Sequence, residues 1–141
     1  YDVNVLVHAF HEGAPDHARY RDWLDDSCLS PEPFGISEHV LSGFVRVATH
    51  PRVFDPPAPI EEAIAFANAV REQPNAVIVR PGLRHWGIFT DLCEAVGAKG
   101  NLVPDAYLAA LAIESGSEWI TTDRDFSRFP GLRWRHPLAT A

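Results

Sequence analysis

The sequence predicts an α/β domain with a mostly parallel sheet covered by helices on both faces. Three observations carry this. Short β-like segments alternate with longer helical ones, prolines punctuate the junctions, and 141 residues are enough for one domain but too few for two ordinary ones. Hydrophobic residues make up 46% of the chain and charged residues 22%, the balance of a folded globular domain. No repeat or low-complexity tract interrupts it, so residues 1–141 read as a single domain.

The elements follow in order. Residues 1–10 carry Val3, Val5, Leu6 and Val7, and read equally as a strand end or a helix start. Residues 17–27 place Tyr20, Trp23 and Leu24 at helical spacing. Phe34-Gly35-Ile36 is a short buried strand, and Ser37 is the N-cap of a helix over 38–48. Residues 59–73 form a helix with Glu61 and Glu62 in the first turn, where the dipole favours acids. A strand over 76–79 precedes a helix over 83–96 that Gly97 closes. Residues 103–115 form a further helix ending at Gly116. Residues 118–122 and 132–134 are the last strands.

Charge and motifs exclude several functions. Twelve basic residues against 19 acidic give a net charge of −7, which argues against a binding module that grips many phosphates directly. An enzyme that meets phosphates through bound metal ions is not excluded. The longest apolar run, residues 106–113, falls far short of the roughly 18 residues a membrane span requires. Cys28 and Cys93 form no CxxC pair and read as reduced thiols of a cytoplasmic protein. His8, His11 and His17 lack the further ligands of a zinc set. GxGxxG, GxxxxGK[ST] and GxSxG are all absent, so nucleotide-binding and serine-hydrolase readings have no support.

Asp2, Asp105 and Asp123 stand out. Asp105 follows Pro104 at the head of a helix, an ordinary helix start in its own right. Residues 106–113 are apolar on every side, however, so that helix is buried and an unpaired charge at its mouth is costly. Asp123 follows a strand and also reads as a turn residue, a duty Arg124 or Asp125 can share. Asp2 has the same two readings at the head of Asp2-Val3-Asn4-Val5-Leu6. In parallel sheets ligands bind at the carboxyl ends of the strands, the edge where the functional reading places Asp123. Each of the three acids falls at the junction of an apolar element and a break. Carboxylates at ~4 Å repel by several kcal/mol at an effective dielectric near 20 unless a cation lies between them. Oxygen-only ligands select Mg²⁺ or Mn²⁺ over zinc.

Four blocks, in this order and spacing, resemble the PIN-domain ribonucleases, and among them the VapC-type toxins of bacterial toxin–antitoxin systems. They are Asp-Val-Asn-Val-Leu at 2–6, Phe-Val-Arg-Val-Ala-Thr-His-Pro-Arg-Val-Phe at 44–54, Gly-Asn-Leu-Val-Pro-Asp-Ala-Tyr-Leu-Ala-Ala-Leu-Ala at 100–112 and Thr-Thr-Asp-Arg-Asp-Phe-Ser-Arg-Phe-Pro-Gly-Leu at 121–132. The resemblance implies a three-layer α/β/α sandwich and a Mg²⁺- or Mn²⁺-dependent endoribonuclease. Its first, third and last acids fall on Asp2, Asp105 and Asp123. Asp125 lies beside the last in a supporting place, and Thr121 matches a hydroxyl residue that could orient a water or a phosphate. The resemblance also implies an antitoxin protein partner and a homodimer. In the family the first acid ends the first strand. Only Tyr1 precedes Asp2 here and the sequence contains no methionine, so the expectation is that a few strand residues lie upstream of this chain.

One position departs from the pattern. The family's second acid, six residues past the capping serine, falls on Gly43. Glu38 is the nearby substitute, but five residues displace it by roughly 7.5 Å along the helix and about 140° around it. The expectation is a three-acid site with weaker metal affinity, Glu38 serving the first helical turn. The leading function is metal-assisted RNA hydrolysis, with a metal-activated water attacking the phosphate. Arg46, Arg52, Arg124 and Arg128 are candidates for phosphate contacts. The alternatives are a PIN-fold interaction module with weakened or lost catalysis and a metal-dependent DNA nuclease.

Overall fold

The computed structural model describes residues 1–139; residues 140 and 141, the end of the domain read over 1–141, lie outside the described residues. The elements run α1 (Val3–Phe10), α2 (His17–Leu29), β1 (Phe34–Ile36), α3 (Glu38–Ala48), α4 (Ile60–Arg71), β2 (Ala76–Ile78), α5 (His85–Val96), α6 (Leu102–Ser115), β3 (Trp119–Ile120), a 3₁₀ turn (Arg124–Arg128) and β4 (Trp134–Arg135). Helices flank strands that pair only in parallel, the α/β arrangement the sequence predicts. No helix among the described residues is long and apolar enough to cross a membrane.

The strands form two pairs. β1 pairs with β2, with Phe34 opposite Ala76 and Ile36 opposite Ile78. β3 pairs with β4, with Trp119 opposite Trp134 and Ile120 opposite Arg135. Tyr1 and Asp2 run between the pairs. The Tyr1 amine donates to Gly35 O at 3.4 Å, and the Asp2 N–H donates to Ile120 O at 2.9 Å. Successive residues donating to opposite sides is the hydrogen-bond pattern of extended backbone with a neighbour on each flank. Above Tyr1 a cavity of about 580 Å³ separates the pairs, lined by Phe34 and Gly35 on one side and Trp119 and Ile120 on the other.

Boundaries differ from the sequence reading where hydrogen bonds override periodicity. Residues 3–10 are helix, because the Asp2 side chain accepts from Val3 N at 2.7 Å and starts the first turn. α2 runs on to Leu29, closed by the Ser30 N–H donating to Asp26 O. α5 starts at His85, since the Glu114 carboxylate accepts from Gly82 N at 2.7 Å and Arg84 N at 2.9 Å and holds that stretch as a turn. β3 is shorter than the predicted 118–122, although Thr121 N still donates to Arg135 O at 3.1 Å. β4 begins at Trp134, two residues later than predicted, after the turn at Gly131 (φ +82°), although Arg133 O already accepts from Trp119 N at 2.8 Å.

The core joins the helical layers to the strands. Val5 and Leu6 of α1, Ile36 of β1, Val40 and Phe44 of α3 and Phe126 of the 3₁₀ turn are almost wholly buried. Phe44 meets Phe10 at 5.3 Å and Phe66 at 5.0 Å between ring centroids, pinning α3 against α1 and α4. α6 is buried along Leu108–Ala112, as its apolar sequence predicts. Phe44→Ala is expected to cost about 3–5 kcal/mol in urea unfolding, and Ile64→Ala on the exposed side of α4 well under 1 kcal/mol. Equal losses would remove this aromatic cluster from the centre of the fold.

Candidate active site

Asp2, Asp105 and Asp123 come together at the end of the sheet where the strands deliver their carboxyl ends. Asp2 follows the extended residue Tyr1, Asp123 lies three residues beyond the end of β3, and Asp105 lies in the first turn of α6. Their proximity shows in their charges. The Asp105 carboxyl is pushed up to about 6, first by burial and then by the negative charges of Asp123, Asp2 and Asp125. Burial also raises the Asp2 carboxyl. Hydrogen bonds from Thr121 and Val3 oppose that rise, and the Asp123 charge adds to it.

Asp2 is 7% exposed and its carboxylate accepts three hydrogen bonds. Its Oδ1 accepts from Val3 N at 2.7 Å, and its Oδ2 accepts from Thr121 Oγ1 at 2.6 Å and Asn4 Nδ2 at 3.2 Å. Asp123 Oδ1 accepts from Asp125 N at 2.9 Å and opens the 3₁₀ turn. Asp105 is half-buried, and its carboxylate accepts no hydrogen bond among the described residues. None of the three acids forms an ion pair with a basic side chain among the described residues.

The donors suit a hard divalent cation: all are oxygens, and their charge is uncompensated by protein cations. They are not closed into a ready-made cage. Among the described residues no three His, Cys, Asp or Glu side chains converge tightly enough to hold an ion as they stand. Asp2 is instead held by Val3, Asn4 and Thr121, and Asp123 by Asp125, while Asp105 feels the negative charge of both.

The other candidates divide. Thr121 is wholly buried, and its hydroxyl is held by Asp2, Asn4 and Asp123 N, away from solvent. Asp125 is exposed beside Asp123. Glu38 is not brought to the acids. Its Oε2 lies 3.0 Å from Arg71 Nη2 and its Oε1 3.1 Å from Arg80 Nη2, and these two arginines hold its carboxyl below the usual range. Gly43 faces α1, where a Cβ would sit 3.0 Å from Val3 Cγ2. Close helix packing fills the place of a fourth acid. Arg46, Arg52, Arg124 and Arg128 are all exposed; Arg124, in the 3₁₀ turn, directly follows Asp123. The sequence reading gave Asn4 no role, yet it bonds Asp2, Thr121 and Thr122. Its available signal was a poor helix former in a first turn, two residues from a candidate acid.

The raised Asp105 carboxyl has a consequence for stability. Its value in the folded chain, about 6, exceeds the ordinary 3.8, so the folded state binds the proton more tightly than the unfolded state. Its contribution to stability is therefore fully present below 3.8 and lost as pH rises through about 6. In chelator, Asp105→Asn is expected to unfold at a higher temperature than the parent chain near pH 7.5, the two converging by about pH 4. Identical unfolding temperatures at both values would show that this carboxyl carries no such penalty.

Comparison with known proteins agrees with this geometry. The PIN domain family model matches residues 1–132. A VapC ribonuclease of Mycobacterium bovis is 45% identical over 137 residues, spanning 97% of this chain and 93% of the relative. Ribonuclease VapC31 of Mycobacterium tuberculosis is 39% identical over 136 residues, spanning 96% of each chain. Among solved structures, VapBC2 from Rickettsia felis bound to a DNA fragment from their promoter matches with a TM-score of 0.67 at 20% identity. That match covers 95% of this chain and 94% of the other, and at this identity it speaks to the fold. With the acids gathered at the sheet's carboxyl edge and the family model spanning nearly all of the sequence, the chain belongs to the PIN domain family.

Proposed function

We propose that this chain is a Mg²⁺- or Mn²⁺-dependent endoribonuclease acting as the toxin of a type II toxin–antitoxin system. The observation that carries it is the shared negative field of Asp2, Asp105 and Asp123, strong enough to help raise the Asp105 carboxyl to about 6 and met by no basic side chain among the described residues. Relatives at 39% and 45% identity carry the name ribonuclease, which supports RNA as the substrate. A bound divalent ion supplies Lewis acidity, lowering the pKa of water and neutralising charge on the phosphate.

The residues of the chain do the rest. Asp2, Asp105 and Asp123 hold the ion. Asp2 is held still by its hydrogen bonds, while half-buried Asp105 and Asp123 remain open to solvent. Arg124 is the arginine best placed to meet a phosphate, since it follows Asp123; Arg46 lies in the last turn of α3 and Arg52 in the loop beyond it. An antitoxin is the expected protein partner, because a desolvated acidic hole suits an arginine as well as a cation. Self-association into a homodimer and a cytoplasmic location complete the proposal.

Purified protein is expected to cleave an RNA panel only with Mg²⁺ or Mn²⁺ and to spare matched single-stranded DNA. Cleavage of the DNA instead would favour the DNA nuclease, and cleavage of neither the interaction module. Asp105→Asn should lower RNA cleavage by a factor of at least about 100 with an unchanged circular dichroism spectrum. Glu38→Ala should keep cleavage within about twofold, since its carboxylate is committed to Arg71 and Arg80. A Glu38→Ala enzyme that is dead but folded would make Glu38 a ligand and overturn the three-acid site.

A further inference from the structure

The acids of the site do not hold their own positions. Asn4, in the first turn of α1, accepts the Thr122 N–H on its Oδ1 at 3.2 Å. That bond turns its amide nitrogen toward the site, where it lies 3.2 Å from both Asp2 Oδ2 and Thr121 Oγ1. Thr121 completes the link. A hydroxyl has one hydrogen and two lone pairs. The hydrogen goes to Asp2 Oδ2 at 2.6 Å, and the lone pairs take Asn4 Nδ2 and the Asp123 N–H at 3.0 Å. The hydroxyl is saturated and buried, so it has nothing left to offer a water or a phosphate.

We infer that Asn4 is a positioning residue, whose carboxamide straps the acid at the start of α1 to the acid beyond β3 and thereby sets the affinity of the pair for a divalent cation. The inference rests on the metal-nuclease reading above. Three facts point to the carboxamide itself. It spans from Thr122 N on the far strand exit to Asp2 on its own helix, 118 residues away in sequence from the first and two from the second. It presents a donor to an anionic oxygen and an acceptor to a backbone amide, which neither alanine nor serine can do across that distance. An aspartate in its place would set a second carboxylate oxygen against Asp2 Oδ2 at about the 3.2 Å now occupied by nitrogen. By taking both sites of Oδ2 with Thr121, the strap leaves Asp2 one acceptor site, on Oδ1, since a carboxylate has about four and three are in use. Partners that orient ligating carboxylates typically account for 10–100-fold in metal affinity.

The test is Mn²⁺ binding by titration calorimetry on the full chain, with thermal unfolding in chelator beside it. Asn4→Ala is expected to weaken Mn²⁺ binding by roughly 10-fold or more while unfolding near the parent temperature in chelator. Thr121→Val should do the same and Thr121→Ser should restore binding. The double variant Asn4→Ala/Thr121→Val should lose less than the product of the single effects, because both act on one oxygen of Asp2. RNA cleavage by Asn4→Ala should recover at saturating Mn²⁺. If Asn4→Ala does not fold, Asn4→Ser is expected to show the same loss of affinity. An Asn4 variant that binds Mn²⁺ as the parent does, while Asp2→Asn does not bind it, overturns the inference and leaves the metal reading standing. So does a variant that loses stability in chelator with unchanged affinity. A parent chain that binds no Mn²⁺ brings down the metal reading and the inference together.

Discussion

Asp2 does three jobs with one residue, and the rest of the structure is arranged around it. Its backbone N–H donates to Ile120 O and so ties the chain start to β3, while Tyr1 beside it reaches Gly35 of β1. Its carboxylate starts α1 through Val3 N. The same carboxylate carries the first negative charge of the site. The two parallel pairs, β1–β2 and β3–β4, are held in one frame at this point, and Tyr1 also lines the cavity between them. Burying an acid here is costly in isolation. Bonds from Val3, Thr121 and Asn4 offset that cost, as charge-assisted hydrogen bonds can.

The distribution of the other charges follows from the same economy of burial. Basic side chains pair with acids elsewhere: Arg71 and Arg80 with Glu38, Arg135 with Glu118, Arg21 with Asp25. All of these pairs are solvent-exposed, where an ion pair contributes at most about 1 kcal/mol. None reaches the acidic end of the sheet among the described residues. Asp105 therefore meets the negative charges of Asp123, Asp2 and Asp125 with no ion-pair partner among the described residues, although the first turn of α6 is where a helix dipole favours an acid. A site built this way suits a cation because of what surrounds it, and an overall charge of −7 does not conflict with action on a polyanion.

Gly43 and Glu38 show how packing resolves a choice that spacing leaves open. A glycine on α3 lets α1 approach until the Val3 methyl would lie 3.0 Å from an added Cβ. That close contact brings Val3, the residue after Asp2, against α3. One turn earlier, Glu38 joins the start of α3 to the end of α4 and to the residues after β2. The helix thus meets the acidic end through an apolar contact and keeps its own acid on the outer face.

Much of this protein was legible in its sequence. The apolar run of α6 and the serine before Glu38 fixed two helices, because a buried helix must be apolar all round and a free N-terminus requires a cap. The alternation of short and long segments identified a parallel α/β domain, and each of Asp2, Asp105 and Asp123 stood at an element junction. Tertiary structure decided what no local pattern encodes. Whether residues 3–7 were strand or helix turned on one carboxylate meeting one amide. The start of α5 turned on bonds from Gly82 and Arg84 to Glu114, 32 and 30 residues away in sequence. Asn4 escaped notice for the same reason: its partners, Thr121 and Thr122, are 117 and 118 residues away. Periodicity reports which face of an element is buried. The partners of a polar side chain are set only when the chain closes on itself.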